Sequence, residues 1–304
     1  MSSKRCCPVC GAGSLHARSF LGSNVDPQRL DQFSYASRKT PEYMNLNLVQ
    51  CLKCDLVYAD EPPSQDDLAH AYHLADYDSA EEADDAAATY IRAMQPLLAA
   101  LPMRESALEI GTGTGALLDR LAHQGFTKLV GVEPSAAAID AAPPHRRPWI
   151  RQGVFEEQDF EPESFDLICC FMTMEHVLDP KVIAAAALRL LRPGGAFVTV
   201  THDYRGRLNR LLGRRSPIID IEHMQLFSDS SIRILFETTG YSNVRVERLI
   251  NRYAFRYWWR LAPAPGPIKR AVAKSAEVVR FDRVKLGVDV GNAITSGVKP
   301  TDST

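Results

Sequence analysis

The chain has no run of 18 apolar residues, so no segment is long enough to cross a bilayer as a helix. Its first residues, Met1-Ser2-Ser3-Lys4-Arg5, lead straight into cysteines and lack the apolar core of a signal peptide, which favours a cytoplasmic protein. Charge of one sign is also missing. A formal net charge of -2 exerts no global pull toward nucleic acid or an anionic membrane. The seven cysteines are odd in number and partly arranged as CxxC, which speaks against a disulfide framework and for metal in a reducing compartment. What remains is an ordinary globular composition, 45% hydrophobic and 24% charged over 304 residues, sufficient for one large domain with an appendage.

The most informative stretch is Glu109-Ile110-Gly111-Thr112-Gly113-Thr114-Gly115, preceded by Ser106-Ala107-Leu108 and followed by Ala116-Leu117-Leu118. It reads as a buried strand, a glycine turn and a helix start. Such a turn brings backbone N–H groups close to a ligand lying over a helix N-terminus. Glu133 closes the next apolar strand, Leu129-Val130-Gly131-Val132-Glu133, 20 residues after Gly113, at the spacing where an acid accepts hydrogen bonds from ribose hydroxyls. Gly111, Gly113 and Ala116 also satisfy a dinucleotide fingerprint. Glu109 tilts the choice, because a carboxylate beside the loop repels a pyrophosphate and attracts an ammonium or sulfonium cation.

With Phe165-Asp166-Leu167-Ile168-Cys169-Cys170 and Leu191-Arg192-Pro193-Gly194-Gly195-Ala196-Phe197-Val198, these motifs make the chain resemble a class I S-adenosylmethionine-dependent methyltransferase over roughly 104–249. The resemblance implies an α/β fold: a Rossmann-like, seven-stranded, doubly wound sheet whose last strand, near Asn292–Lys299, runs antiparallel between strands five and six. It also implies an enzyme with S-adenosyl-L-methionine as cofactor. The expected cofactor residues are Glu109, Gly111, Thr112, Gly113, Gly115, Glu133, Phe155 and Phe171. An acid often found after strand three is missing, since Val154 stands there, and Phe155 is left to pack on adenine.

Cys7-Pro8-Val9-Cys10 and Cys51-Leu52-Lys53-Cys54 form two knuckles separated by 40 residues. Together they can close a tetrahedral site, and four cysteine ligands leave no open position for water, so the expected zinc is structural. Cys6 is a possible substitute ligand and a redox dithiol the alternative. A similar N-terminal module occurs in methyltransferases acting on sugars, and the likeness extends through Leu56-Val57-Tyr58-Ala59. Those enzymes carry a further C-terminal domain not seen here, which favours methylation of oxygen over carbon. The expected division is a zinc-binding module at 1–62, a helical lid at 63–103 and the methyltransferase domain at 104–304, with an insertion at 250–290.

From Arg245 to Lys285 the chain holds eleven Lys or Arg against three acids, interleaved with Tyr253, Phe255, Tyr257, Trp258 and Trp259. This insertion suits an anionic substrate such as a sugar nucleotide, peripheral contact with a membrane carrying a glycan, or simply a solvated basic face over packed aromatics. Candidate catalytic groups are His223 and Glu222, which resemble a Glu-His pair whose histidine is the favoured base in sugar C-methyltransferases. His176 after strand four is another, as is Tyr77 in the lid; His202 and Asp203 end strand five. Each histidine has an equally plain role as a loop anchor. The expected partner is a small-molecule acceptor, possibly a sugar nucleotide or glycan, and nucleic acid is disfavoured. A non-catalytic scaffold is the rival reading. A protein or RNA methyltransferase is the third, and Phe171-Met172-Thr173-Met174 lacks the Asn-Pro-Pro-Tyr-like motif it would need.

Overall fold

The computed structural model describes residues 4–31, 34–35, 42–75, 80–262 and 264–301. The chain begins with β1 (Ala17–Leu21), β2 (Leu48–Cys51) and β3 (Val57–Ala59), followed by α1 (Gln65–Leu74) and α2 (Ala80–Ala100). The alternating part is β4 (Ser106–Ile110), α3 (Ala116–Ala122), β5 (Lys128–Glu133), α4 (Ala136–Ala141), β6 (Ile150–Gln152), β7 (Phe165–Phe171), α5 (Pro180–Leu190) and β8 (Leu191–His202). Then come α6 (Arg207–Leu212), β9 (Gln225–Leu226), α7 (Asp229–Thr239), β10 (Ser242–Ala254), α8 (Phe255–Leu261), α9 (Gly266–Val278) and β11 (Lys285–Val298).

Seven strands form one sheet in the order β10-β11-β8-β7-β4-β5-β6. The pairs from β8 to β6 are parallel, and β11 runs antiparallel to both β8 and β10 between them, as the sequence suggested. Parallel central strands must be covered on both faces, which explains their continuous burial. In β7 the alternation is visible: Leu167, Cys169 and Phe171 pack with α2 and α3, whereas Ile168 and Cys170 pack with α5 and α7. Cys169 and Cys170 are fully buried, and burial pushes both thiols well above their ordinary pKa, so they are core residues and not nucleophiles.

The helix before β10 starts and stops on local chemistry. The Ser228 side chain accepts from the Ser231 N–H, the Ser231 hydroxyl accepts from the Ser228 N–H, and Gly240 ends the helix at φ 109°. Between these caps Ile232, Leu235 and Phe236 bury a continuous stripe against β8 and α5.

The N-terminal strands do not stand apart from the large domain. They form a four-stranded sheet, β1-β2-β3-β9, whose last strand is contributed by the segment just before α7. Val57 pairs with Leu226 and Tyr58 with Gln225, while the Ala59 N–H donates to the Met224 carbonyl. Cys7, Cys51, Cys54, Leu56 and Tyr58 also share a core with Phe227, Ile232 and Leu235. The two hairpin strands at the other edge are longer than the sequence periodicity marked, β10 reaching Ala254 and β11 starting at Lys285, so α8 and α9 fill the gap between their tips. Among the described residues no helix is long and apolar enough to cross a membrane.

Candidate active site

The turn after β4 takes three positive φ angles, at Gly111 (75°), Gly113 (56°) and Gly115 (70°). Gly111 is doubly constrained, because a Cβ there would lie 2.2 Å from the Thr173 hydroxyl. A Cβ at Gly113 would meet no protein atom within 4 Å; it would project into open space over the loop. Glu133 braces this turn from β5: its carboxylate accepts from the Gly113 N–H at 2.7 Å and from the Ser135 N–H at 2.9 Å. Burial raises its pKa, and these two N–H donors work against that shift. Glu109 is buried at the end of β4, where the Thr112 hydroxyl donates to it at 2.5 Å.

Glu109, Gly111, Thr112, Gly113, Glu133, Phe155 and Phe171 all line one cavity of about 700 Å³. Gly115 does not; it is the left-handed residue that opens α3. Phe155 stacks on Phe160 at 6.0 Å, and Phe171 meets the Tyr90 ring of α2 edge-on at 4.8 Å, so α2 covers the cavity beside Phe171. Val154, at the place of the missing acid, lines the same wall.

The opposite wall carries His176, His202, Glu222 and His223. They arrive from three separate segments, after β7, at the end of β8 and before β9. His176 Nδ1 lies 3.6 Å from Glu222 Oε2, and ring centroids are 4.9 Å apart for His176 and His223 and 5.4 Å for His202 and His223. Further contacts hold these groups. His223 Nδ1 lies 2.8 Å from the Ile218 carbonyl; because a carbonyl only accepts, Nδ1 carries the proton and Nε2 the lone pair. Tyr72 of α1 donates to the Glu222 carbonyl at 3.3 Å and touches His176 Nδ1 at 3.2 Å. His202 Nδ1 sits 3.3 Å from Glu175, a carboxylate with no exposure. Tyr77 lies outside the described residues.

The loop bearing Glu222 and His223 is clamped from both sides. Met224 and Gln225 donate their backbone N–H groups to the Glu175 carbonyl, and the Gln225 amide donates to the Met174 and Val177 carbonyls. On the far side β9 pairs with β3 of the N-terminal sheet. The cysteine module is thereby the outer support of the segment that carries the Glu-His pair.

Within that module the four sulfurs of Cys7, Cys10, Cys51 and Cys54 lie within 4.8 Å of one another, with Cys7–Cys54 at 3.4 Å and Cys10–Cys51 at 3.5 Å. Thiolates at about 2.3 Å from a tetrahedral zinc are roughly 3.8 Å apart, so the set fits the metal with little movement. Cys6 is exposed and outside the cluster. Donation from the Cys54 thiol brings Cys7 down to about 5, while burial pushes Cys10 up to about 11. Crowded sulfurs resist joint ionisation unless a cation sits among them.

The insertion divides into two faces. Along β10, Leu249, Asn251 and Tyr253 are buried while Ile250 and Arg252 between them are exposed, the two-residue alternation of a strand. Tyr253, Tyr257 and Trp258 line the cavity; Phe255 instead stacks with Trp259 at 6.0 Å and packs against Phe281. The cations turn away. Lys285 reaches Asp85 of α2 at 2.5 Å, Arg260 reaches Glu82 at 3.7 Å, and Arg248 pairs with Asp289 at 3.3 Å. Among the described residues no lysine or arginine lines the cavity, whereas Glu109, Glu133, Asp179, Asp220 and Glu222 do. The expected basic grip on an anionic substrate is therefore not part of the cavity wall. Sequence reasoning also missed Asn251 and Asn292, each 3% exposed, which line the cavity and whose buried side-chain oxygens have no hydrogen-bond donor among the described residues.

A family model described as a methyltransferase domain matches residues 81–246, more than half of the chain. Among curated proteins the chain is similar to a ubiquinone biosynthesis O-methyltransferase of Klebsiella pneumoniae, 28% identical over 114 residues, covering 35% of this chain and 47% of the relative. A protein of the same name from Coxiella burnetii is 31% identical over 113 residues, covering 35% and 48%. The chain spans about half the length of the curated relatives it matches. Among solved structures, an S-adenosylmethionine-dependent methyltransferase from Thermotoga maritima is 20% identical, with a TM-score of 0.49, covering 72% of this chain and 91% of that one.

Proposed function

The chain belongs to the family whose model is described as a methyltransferase domain, and we propose that it is a class I S-adenosylmethionine-dependent enzyme that methylates a hydroxyl oxygen of a small, polyhydroxylated acceptor such as a sugar unit. The cofactor supplies an activated methyl group on a sulfonium when bound. Glu133 would accept the ribose hydroxyls, Gly111, Thr112 and Gly113 would give close backbone approach, Glu109 would attract the cationic end, and Phe155 and Phe171 would pack beside the adenine and the methionine. What supports the acceptor class is the pair Asn251 and Asn292 in the cavity wall: both amides are buried and their oxygens have no donor among the described residues, so a small turn of either side chain would let it exchange hydrogen bonds with ligand hydroxyl groups. The aromatic wall of Tyr253, Tyr257 and Trp258 suits the apolar face of a sugar ring. The relatives' O-methyltransferase names favour oxygen over carbon.

In this reading the cluster of His176, Glu222 and His223 activates the acceptor hydroxyl, and any phosphate of a sugar nucleotide stays outside the cavity, near the exposed arginines of the insertion. Turnover with ¹³C-methyl-labelled cofactor and a panel of sugars and sugar nucleotides tests it. The expected product is a methoxy carbon formed in step with S-adenosylhomocysteine. Label on carbon, on protein or on RNA sinks the proposal. Asn251→Ala and Asn292→Ala should each raise the acceptor KM about tenfold or more, as lost hydrogen bonds to a buried group do, with cofactor affinity unchanged.

Zinc in the four-cysteine cluster is the second part of the proposal. Purified protein should carry about one zinc per chain, and Cys7→Ser or Cys51→Ser should remove it and lower the thermal midpoint by at least about 5 °C. Because β3 holds β9, those variants should also lose turnover while still binding S-adenosylhomocysteine. Metal-free wild type with an unaltered midpoint defeats this part.

A further inference from the structure

We propose that His176, Glu222 and His223 bind a divalent transition-metal cation that holds the acceptor oxygen, a second metal site distinct from the four-cysteine cluster. Each side chain offers one ligand atom, and the three atoms lie within 4.8 Å of one another. A cation at roughly 2.0–2.2 Å from each would draw them to roughly 3–3.5 Å apart. His176 Nδ1 lies 3.6 Å from Glu222 Oε2 but also 3.3 Å from the Glu222 carbonyl, so a cation bound at Nδ1 would displace that hydrogen bond, and one bound at Nε2 would keep it. Two histidines and one carboxylate are a set that suits cobalt, iron(II), manganese or zinc and leaves coordination positions open.

Two independent observations support a cation at this place. The Nδ1–H of His223 donates to the Ile218 carbonyl at 2.8 Å, the arrangement that orients a ligand histidine and directs Nε2 to a metal. The cavity wall is also acidic, with five carboxylates and, among the described residues, no lysine or arginine. Such a wall raises the local concentration of cations.

The inference rests on the methyltransferase reading above and assigns roles within it. A cation beside the acceptor hydroxyl lowers the pKa of that hydroxyl. Its proton passes to His202, whose ring is 5.4 Å from that of His223 and whose Nδ1 lies beside Glu175. The oxygen then bonds to the methyl carbon as the carbon–sulfur bond breaks, and the electron pair leaves on sulfur.

The test uses full-length protein with its cysteine cluster filled by one equivalent of zinc and then titrated with cobalt(II) chloride. One further equivalent should bind, with weak visible absorption and no sulfur-to-cobalt charge-transfer band, because no thiolate is involved. Glu222→Gln and His176→Ala should weaken that binding tenfold or more, and Cys6→Ser should leave it unchanged. Absence of a second equivalent, or cobalt binding indifferent to both cluster variants, overturns the site. S-adenosylhomocysteine calorimetry on the same samples separates the two claims. Cofactor binding without cobalt binding removes only the cation, whereas failure to bind the cofactor removes the methyltransferase reading itself.

Discussion

Gly113→Val should eliminate measurable binding of S-adenosylmethionine and S-adenosylhomocysteine in calorimetry, and Glu133→Ala should weaken it about a hundredfold. The two effects have different physical origins. At Gly113 the backbone sits at φ 56°, which a β-branched residue resists, and the added side chain would fill open space over the loop where backbone and ligand must meet. At Glu133 the carboxylate holds the Gly113 and Ser135 N–H groups, and in the proposed complex it would also accept from the ribose. Alanine leaves two backbone donors and two hydroxyls without their acceptor, and losses of 1–3 kcal/mol for unsatisfied groups give about two decades. Glu133→Gln should fall between, because the amide keeps the shape and one acceptor. Wild-type affinity in both the valine and alanine variants, or tighter binding of NAD than of either sulfur compound, would refute the assignment of this cradle.

The glycine turn and the acid that braces it were legible because their chemistry is local. A turn that needs three left-handed residues can be written in few ways, and the acid closing the next strand follows at a fixed spacing. Gly115 shows the limit: it belongs to the motif, yet it opens α3 and does not line the cavity. The cysteine knuckles were legible for the same reason, each being set by a four-residue turn.

The histidine wall was hidden because it is assembled from distant pieces. His176 follows β7, His202 ends β8 and His223 precedes β9, and only the sheet order and the clamp through Gln225 and β9 bring them to one wall. A two-residue strand such as β9 has no periodicity to read. The basic insertion misled for a different reason: composition counts charges but does not say which face carries them. In β10 the alternation of Leu249, Asn251 and Tyr253 with Ile250 and Arg252 contains that information once the strand is known to run on to Ala254. Polar Asn251 on the buried side of that alternation was the available signal for an acceptor contact.

His223→Ala should lower kcat by about 10²–10⁴ while leaving S-adenosylhomocysteine affinity nearly unchanged, since proton removal or hydroxyl polarisation acts on the acceptor and not on the cofactor. A purely structural histidine could imitate part of this loss. Its ring is buried against His176 and His202, and its Nδ1–H satisfies the Ile218 carbonyl, so alanine also costs stability. His223→Asn separates the two roles. The asparagine amide can place an N–H where Nδ1 stood, keeping the bond to Ile218, but it has no counterpart of Nε2. If His223 only anchors its loop, the asparagine variant regains most of the turnover that alanine loses. If Nε2 is the working atom, asparagine restores the thermal midpoint and not the rate. His176→Ala is the companion measurement: a loss confined to that variant moves the working nitrogen to the end of β7, and wild-type rates in both alanine variants would remove His176 and His223 from the chemistry.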